Sequence, residues 1–132
     1  LARIPEKPRR ERQMRLVKFG LDAPDVADAV RTYRKTIVDM EEILTTRQWI
    51  ASDQFSLADI CLAPYFQTLH QFNWTALFDQ DCPNVADWFA RCQQRPSYQT
   101  AVADDFSETL INELREKGTA AWSKIEAHLG NS

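Results

Sequence analysis

The run Phe55-Ser56-Leu57-Ala58-Asp59-Ile60-Cys61-Leu62-Ala63-Pro64-Tyr65-Phe66 limits what this chain can fold into more than any other stretch. Ser56 stands where a helix N-cap belongs, and Asp59 follows three residues on. The serine oxygen can then accept the Asp59 amide while the carboxylate reaches back to the Ser56 amide. Phe55 and Ile60 are spaced as a hydrophobic staple across that start. Leu57, Ala58, Ile60, Cys61, Leu62, Ala63, Tyr65, Phe66 and Leu69 place apolar groups on every side of the helix that follows, the pattern of a helix surrounded by others. Pro64, at the eighth position, cannot donate to the Ile60 carbonyl and predicts a bend.

Around this helix the chain reads as further helices joined by short turns. Residues 1 to 7 read as an extended lead-in, Pro8 opens a first helix, and Gly20 closes it. Asp22 is placed to cap a second, with Pro24 in its first turn. There Val26, Val30, Tyr33, Ile37, Met40 and Leu44 recur at steps of four and three, the clearest periodicity present. A stripe of that width on a helix of about twenty residues favours an antiparallel bundle over a coiled coil. Trp49 and Ile50 lie in the turn that leads to Ser56. Pro83 opens a helix bearing Val85, Trp88, Phe89 and Cys92, and Pro96 ends it. Ser97 is placed to cap a short turn. Phe106, Leu110, Ile111 and Leu114 mark another helix, stopped at Gly118, and Thr119 caps a last one through Trp122, Ile125 and Leu129. The expected architecture is all-α: one domain over 1–132, about seven helices around a buried central one.

Composition narrows the function classes. With 132 residues and 44% hydrophobic side chains, the chain can bury a core without staples. Residues 1–20 carry seven basic side chains against Glu6 and Glu11, although the whole chain has a net charge of −3. No aromatic side chain interrupts the basic run before Phe19, so it lacks the stacking platforms of a single-strand binder, and no nucleic-acid partner is expected. Cys61, Cys82 and Cys92 form no C-x-x-C pair and stand apart from His70 and His128, which excludes zinc spacing; no metal is expected. Unpatterned cysteines suit a reducing compartment, and the expected location is cytoplasmic. There is no apolar run of membrane-spanning length. The chain begins at Leu1 and not Met, which reads as a trimmed piece.

Candidate chemical groups read more simply as structure. Capping accounts for Asp59, and His70 ends the central helix. Cys61 lies one turn past the cap and reads as core. Glu41-Glu42 and Asp104-Asp105 are sequence neighbours that point apart on a helix. No phosphate loop, H-E-x-x-H or G-x-S-x-G occurs. No catalytic residue is expected within the chain.

The run Trp49-Ile50-Ala51-Ser52-Asp53-Gln54-Phe55-Ser56-Leu57-Ala58-Asp59 resembles the carboxyl-terminal helical domain of the glutathione transferases. In that family Ser/Thr-x-x-Asp follows a Gly-Asp-x-Phe/Tyr turn. Only the glycine departs, replaced by Ser52, which predicts a turn without positive φ. Pro83-Asn84-Val85, Trp88 and Arg95-Pro96-Ser97-Tyr98 resemble the family's next helix and its ending, so the likeness runs from about Leu16 to Ala103.

The resemblance implies an amino-terminal thioredoxin-like domain that binds and activates the co-substrate glutathione. This domain would then supply a pocket for a small apolar electrophile and part of a homodimer surface. Arg12, Arg15, Leu16 and Phe19 are the pocket positions implied by the family. The alternative is a non-catalytic interaction module of the same fold. Capping alone predicts that Asp59→Ala lowers stability by about 0.5 to 2 kcal/mol in urea unfolding.

Overall fold

The computed structural model describes residues 6–130; residues 1–5, part of the lead-in expected to be extended, lie outside them. Six α-helices occur among the described residues and no strand: α1 Lys7–Phe19, α2 Pro24–Leu44, α3 Leu57–Gln71, α4 Pro83–Gln93, α5 Pro96–Ala101 and α6 Glu108–Ala127. They divide between two compact units, one of residues 6–35 and 121–130 and the other Thr36–Ala120.

In the first unit α1 ends at Gly20, whose φ of 55° suits a residue without a Cβ. A single 3-10 turn, Gly20–Asp22, leads into α2. Asp22 does not serve as the expected cap there: it accepts from Lys124 Nζ at 2.8 Å. His128 Nε2 lies 3.1 Å from the Leu21 carbonyl, and Ala23, Val30 and Ile125 are the buried apolar groups.

The second unit is organised by Asp59, which is fully buried. Its Oδ2 accepts the Ser56 amide at 2.9 Å and the Ser56 hydroxyl at 3.2 Å, while Ser56 Oγ accepts the Ala58 amide at 3.3 Å, completing a reciprocal cap at the start of α3. The other oxygen does more than a cap requires. Oδ1 accepts the Ile50 amide at 3.1 Å and the indole N–H of Trp88 at 2.8 Å. One carboxylate therefore joins the 45–56 loop, α3 and α4.

Packing follows from that junction. Val85, Trp88, Phe89 and Cys92 form the buried face of α4, and Phe66 of α3 meets the Trp88 ring edge-on at 5.1 Å and Phe78 at 5.4 Å. The stripe read from α2 also points inward, with Ile37, Met40 and Leu44 buried. Pro83 at the head of α4 has no side-chain acceptor before it, and Glu41 supplies one from α2. Its carboxylate accepts the Asn84 amide at 3.2 Å and the Val85 amide at 2.9 Å.

Two expectations change. The apolar residues of α3 divide into two stripes: Ala63, Phe66 and Leu69 are buried with Asp59, whereas Leu57, Ile60, Cys61, Pro64 and Tyr65 lie open. The helix runs unbroken through Pro64, whose missing donor falls on the exposed side. The helix count is six and not about seven because Gly118 stops nothing; α6 continues through it, and Thr119 caps no new helix.

The end of α3 explains that glycine. Asn73 takes φ 61°, with its amide donating to the His70 carbonyl at 3.1 Å and the Trp74 amide to the Leu69 carbonyl at 2.8 Å, a Schellman ending built on asparagine. It is the described non-glycine residue with positive φ, so Ser52 needs none. The tight turn presses backbone against α6: a Cβ on Gly118 would sit 2.0 Å from the Phe72 carbonyl oxygen. Trp74 Nε1 donates to the Gly118 carbonyl at 2.8 Å across the same crossing. At the short elements, Ser97 lies inside α5 and not ahead of it, and Ser107 Oγ accepts the Leu110 amide at the head of α6.

Three measurements test this account. Asp59→Ala strands the Trp88, Ile50 and Ser56 donors, at about 1 to 3 kcal/mol for each unsatisfied buried group, so urea unfolding should register a loss above the 2 kcal/mol or so that a cap alone explains. Gly118→Ala, which should gain about 1 kcal/mol from helix propensity, should instead lower the thermal midpoint because a carbonyl cannot repack. At His70, burial first and then the Arg115 charge hold the imidazole below its ordinary 6.5, against Asp79. The unfolded chain then binds more protons than the folded one between those two values. His70's contribution is complete above about pH 6.5 and is lost as pH falls through the folded value. His70→Gln should flatten that part of a stability profile taken from about pH 7.5 to about pH 5.

Candidate functional site

The open stripe of α3 is the surface feature that the buried core least explains. Leu57 is 76% exposed, Ile60 51% and Tyr65 58%, at the i, i+3 and i+8 positions of one helix face, with Cys61 and Pro64 between them. Scattered exposed apolar residues are ordinary, whereas a contiguous set on a single face marks a surface that meets something. Its spacing was visible in the sequence. Its exposure was not, because a helix apolar all round reads equally as fully buried.

Beside this stripe lies a groove of about 390 Å³. Ile60, Ala63 and Pro64 line it from α3, Tyr98 and Ala101 from α5, and Val102 from just beyond α5. Arg95 is its charged lining residue, and the guanidinium carbon stands 3.7 Å from the centre of the Phe55 ring, so the cation is spread over an aromatic face. Arg91 treats Trp49 in the same way at 5.3 Å and also donates to the Gln48 carbonyl. These two arginines of the α4 end fasten the loop that precedes Ser56. Trp49 and Phe55 meet edge-on at 5.1 Å.

The positions expected to bind substrate fall on α1. Arg15 forms a two-pronged pair with Asp25, Nε to Oδ2 at 2.8 Å and Nη2 to Oδ1 at 2.7 Å. Arg12 approaches the same carboxylate at 3.9 Å. The hydrogen bond from Arg15, followed by its charge and that of Arg12, lowers the Asp25 carboxyl against burial, and Asp25 raises Arg15 in return. Leu16 is half-buried. Phe19 is 47% exposed, with Lys18 Nζ 5.0 Å from its ring centre. Arg12 and Arg15 thus converge on one internal carboxylate, and Leu16 and Phe19 take no part in that cluster. Ser56 and Asp59 meet at the α3 cap described above.

Burial, with the Asp59 charge behind it, pushes the Cys92 thiol up to about 12, so it is not a thiolate at neutral pH. Burial likewise raises the Tyr98 hydroxyl to about 12. Cys61, Cys82 and Cys92 are all free thiols. No group of three His, Cys, Asp or Glu residues that could hold a metal occurs among the described residues, and none of the described helices is long and apolar enough to cross a membrane. What sequence reading missed is the Asp59–Trp88 bond, although a tryptophan on a buried helix face needs an acceptor for its N–H.

Comparison with known proteins agrees with this architecture. The chain is 27% identical to elongation factor 1-gamma of Danio rerio over 89 residues, 67% of this chain and 20% of that protein. It is 29% identical to FtsZ-localized protein A of Caulobacter vibrioides over 99 residues, 70% of this chain and 40% of that protein. Against glutathione S-transferase psoE of Aspergillus fumigatus the figure is 33% over 73 residues, 55% of this chain and 30% of that one. The chain thus matches less than half the length of each of these relatives. No solved structure gives a significant match. Residues 12–96 match the family described as glutathione S-transferase, C-terminal domain, a span that contains the whole Asp59 junction, and the chain belongs to that family.

Proposed function

We propose that this chain is the helical half of a two-domain glutathione transferase-like protein, with glutathione bound and activated by a thioredoxin-like α/β domain outside these residues. The observation that carries this reading is the open apolar stripe of α3, Leu57, Ile60 and Tyr65, a face of the kind one domain presents to another. The Cys92 thiol, pushed up to about 12 by burial, is not a nucleophile at neutral pH, which is consistent with the same division of labour.

On this reading the helical half contributes apolar surface for a small electrophile and part of a homodimer contact, in a cytoplasmic setting. Arg12, Arg15, Leu16 and Phe19 stay the proposed pocket positions. Their roles differ: Arg15 is engaged with Asp25 and positions α1, while Arg12 and Phe19 have exposed surface to offer a ligand. A cation and an exposed aromatic ring on the same helix suit an anionic co-substrate joined to an apolar one.

A second reading, a non-catalytic interaction module, draws on two of the relatives, elongation factor 1-gamma and FtsZ-localized protein A, neither of them named as a transferase.

Conjugation of glutathione to 1-chloro-2,4-dinitrobenzene separates the possibilities. The 132-residue chain alone should show no turnover above the uncatalysed rate, and the complete reading frame should show it. Leu57→Glu with Tyr65→Glu in that complete protein should abolish activity by loosening the domain seam. Turnover by the chain alone would overturn the proposal, and a folded, inactive complete protein would leave the interaction module as the better account.

A further inference from the structure

A second cavity, of about 250 Å³, opens among the last turn of α3, the end of α4, α5 and the first half of α6. Tyr98 lines both it and the apolar groove, yet the two differ in chemistry. Amide side chains dominate this smaller one, and several are already engaged. The Tyr98 hydroxyl donates to Gln67 Oε1 and is also hydrogen-bonded by Gln93. Gln99 Nε2 donates to Asp104 Oδ1 at 3.3 Å.

Two donors that line the cavity, one from α3 and one from α6, have no protein partner among the described residues. Gln71 Nε2 is buried and has no hydrogen-bond partner, a state that costs free energy in a native interior. The Arg115 guanidinium makes no ion pair or hydrogen bond among the described residues. His70 also lines the cavity, and burial followed by the Arg115 charge lowers its pKa, which disfavours a second cation there. Phe106 and Ile111 supply apolar lining. Two acidic groups act on the lining, Asp79 on His70 and Asp104 through its bond to Gln99. They disfavour a ligand with several negative charges.

We propose that this cavity binds a small organic monocarboxylate, its acid group held by Arg115 and Gln71 and its apolar body against Phe106 and Ile111. A carboxylate can take the planar fork of an arginine and a further amide donor at once, relieving the orphaned Gln71 nitrogen. The size of the cavity limits the body to about one ring or a short branched chain, since drug-sized ligands occupy roughly 300 Å³ or more. The inference does not depend on the presence of an α/β domain, because every residue it uses lies in Thr36–Ala120.

The test is a titration of the isotopically labelled chain, followed by backbone amide NMR shifts, with benzoate, benzamide and benzylamine at fixed ionic strength. Benzoate should saturate, with its largest shifts at residues 67–71 and 93–99, and should bind more tightly than either probe without the negative charge. Arg115 is exposed, so Arg115→Gln should keep the parent spectrum while weakening benzoate at least about tenfold and leaving benzamide unchanged. Arg115→Lys, which keeps the charge without the fork, should fall between. Shifts centred elsewhere, equal affinity for benzylamine, or a folded Arg115→Gln variant that binds benzoate as the parent does would each overturn the proposal.

Discussion

The second unit depends on one buried carboxylate meeting enough donors. Asp59 is fully buried, and a polar group in that position is tolerable only when its hydrogen-bonding capacity is used. Its four partners come from three places in the chain: the amide of Ile50, the amide and hydroxyl of Ser56, and the indole of Trp88. The partners therefore tie the start of α3 both to the loop before it and to α4. The aromatic contacts of Phe66 with Trp88 and Phe78 add area and shape, but they could be made in more than one register. The carboxylate admits one arrangement.

That junction also orders the surface. Because the Asp59 side of α3 is committed inward, the opposite stripe has to face out, and its composition is apolar where a solvated helix would be polar. The arginines at the end of α4 complete the frame by laying their guanidinium planes on Trp49 and Phe55, which holds the 45–56 loop without demanding a glycine at residue 52. The family match over residues 12–96 contains this whole arrangement.

Much of this was legible in the residues. The cap at Ser56 and Asp59, the stripe along α2 and the buried face of α4 follow from spacing alone, because each is a local pattern with a local cause. Glu41 was harder. It looked like half of an idle acidic pair, and only the fold carries it to the head of α4, where Pro83 leaves amides without an acceptor. The open stripe of α3 was equally hidden, since hydrophobicity on every side says what a helix could bury and not what it does bury. The cavity near Tyr98 gathers glutamines from three helices, and no sequence spacing links them. Gly118 misled for a physical reason: a glycine within a helical pattern usually signals termination, and here it signals that another strand of backbone is too near.

That crossing differs in kind from the rest of the interior. Elsewhere a lost or enlarged side chain can be answered by a compensating change in its neighbour, as cores tolerate when total volume is kept. Where α6 passes the end of α3, the neighbour is the peptide of residue 72, the same group whatever amino acid is encoded there. No second-site substitution at the contacting position can restore the fit, so position 118 is one place in this domain where drift by paired exchange is closed.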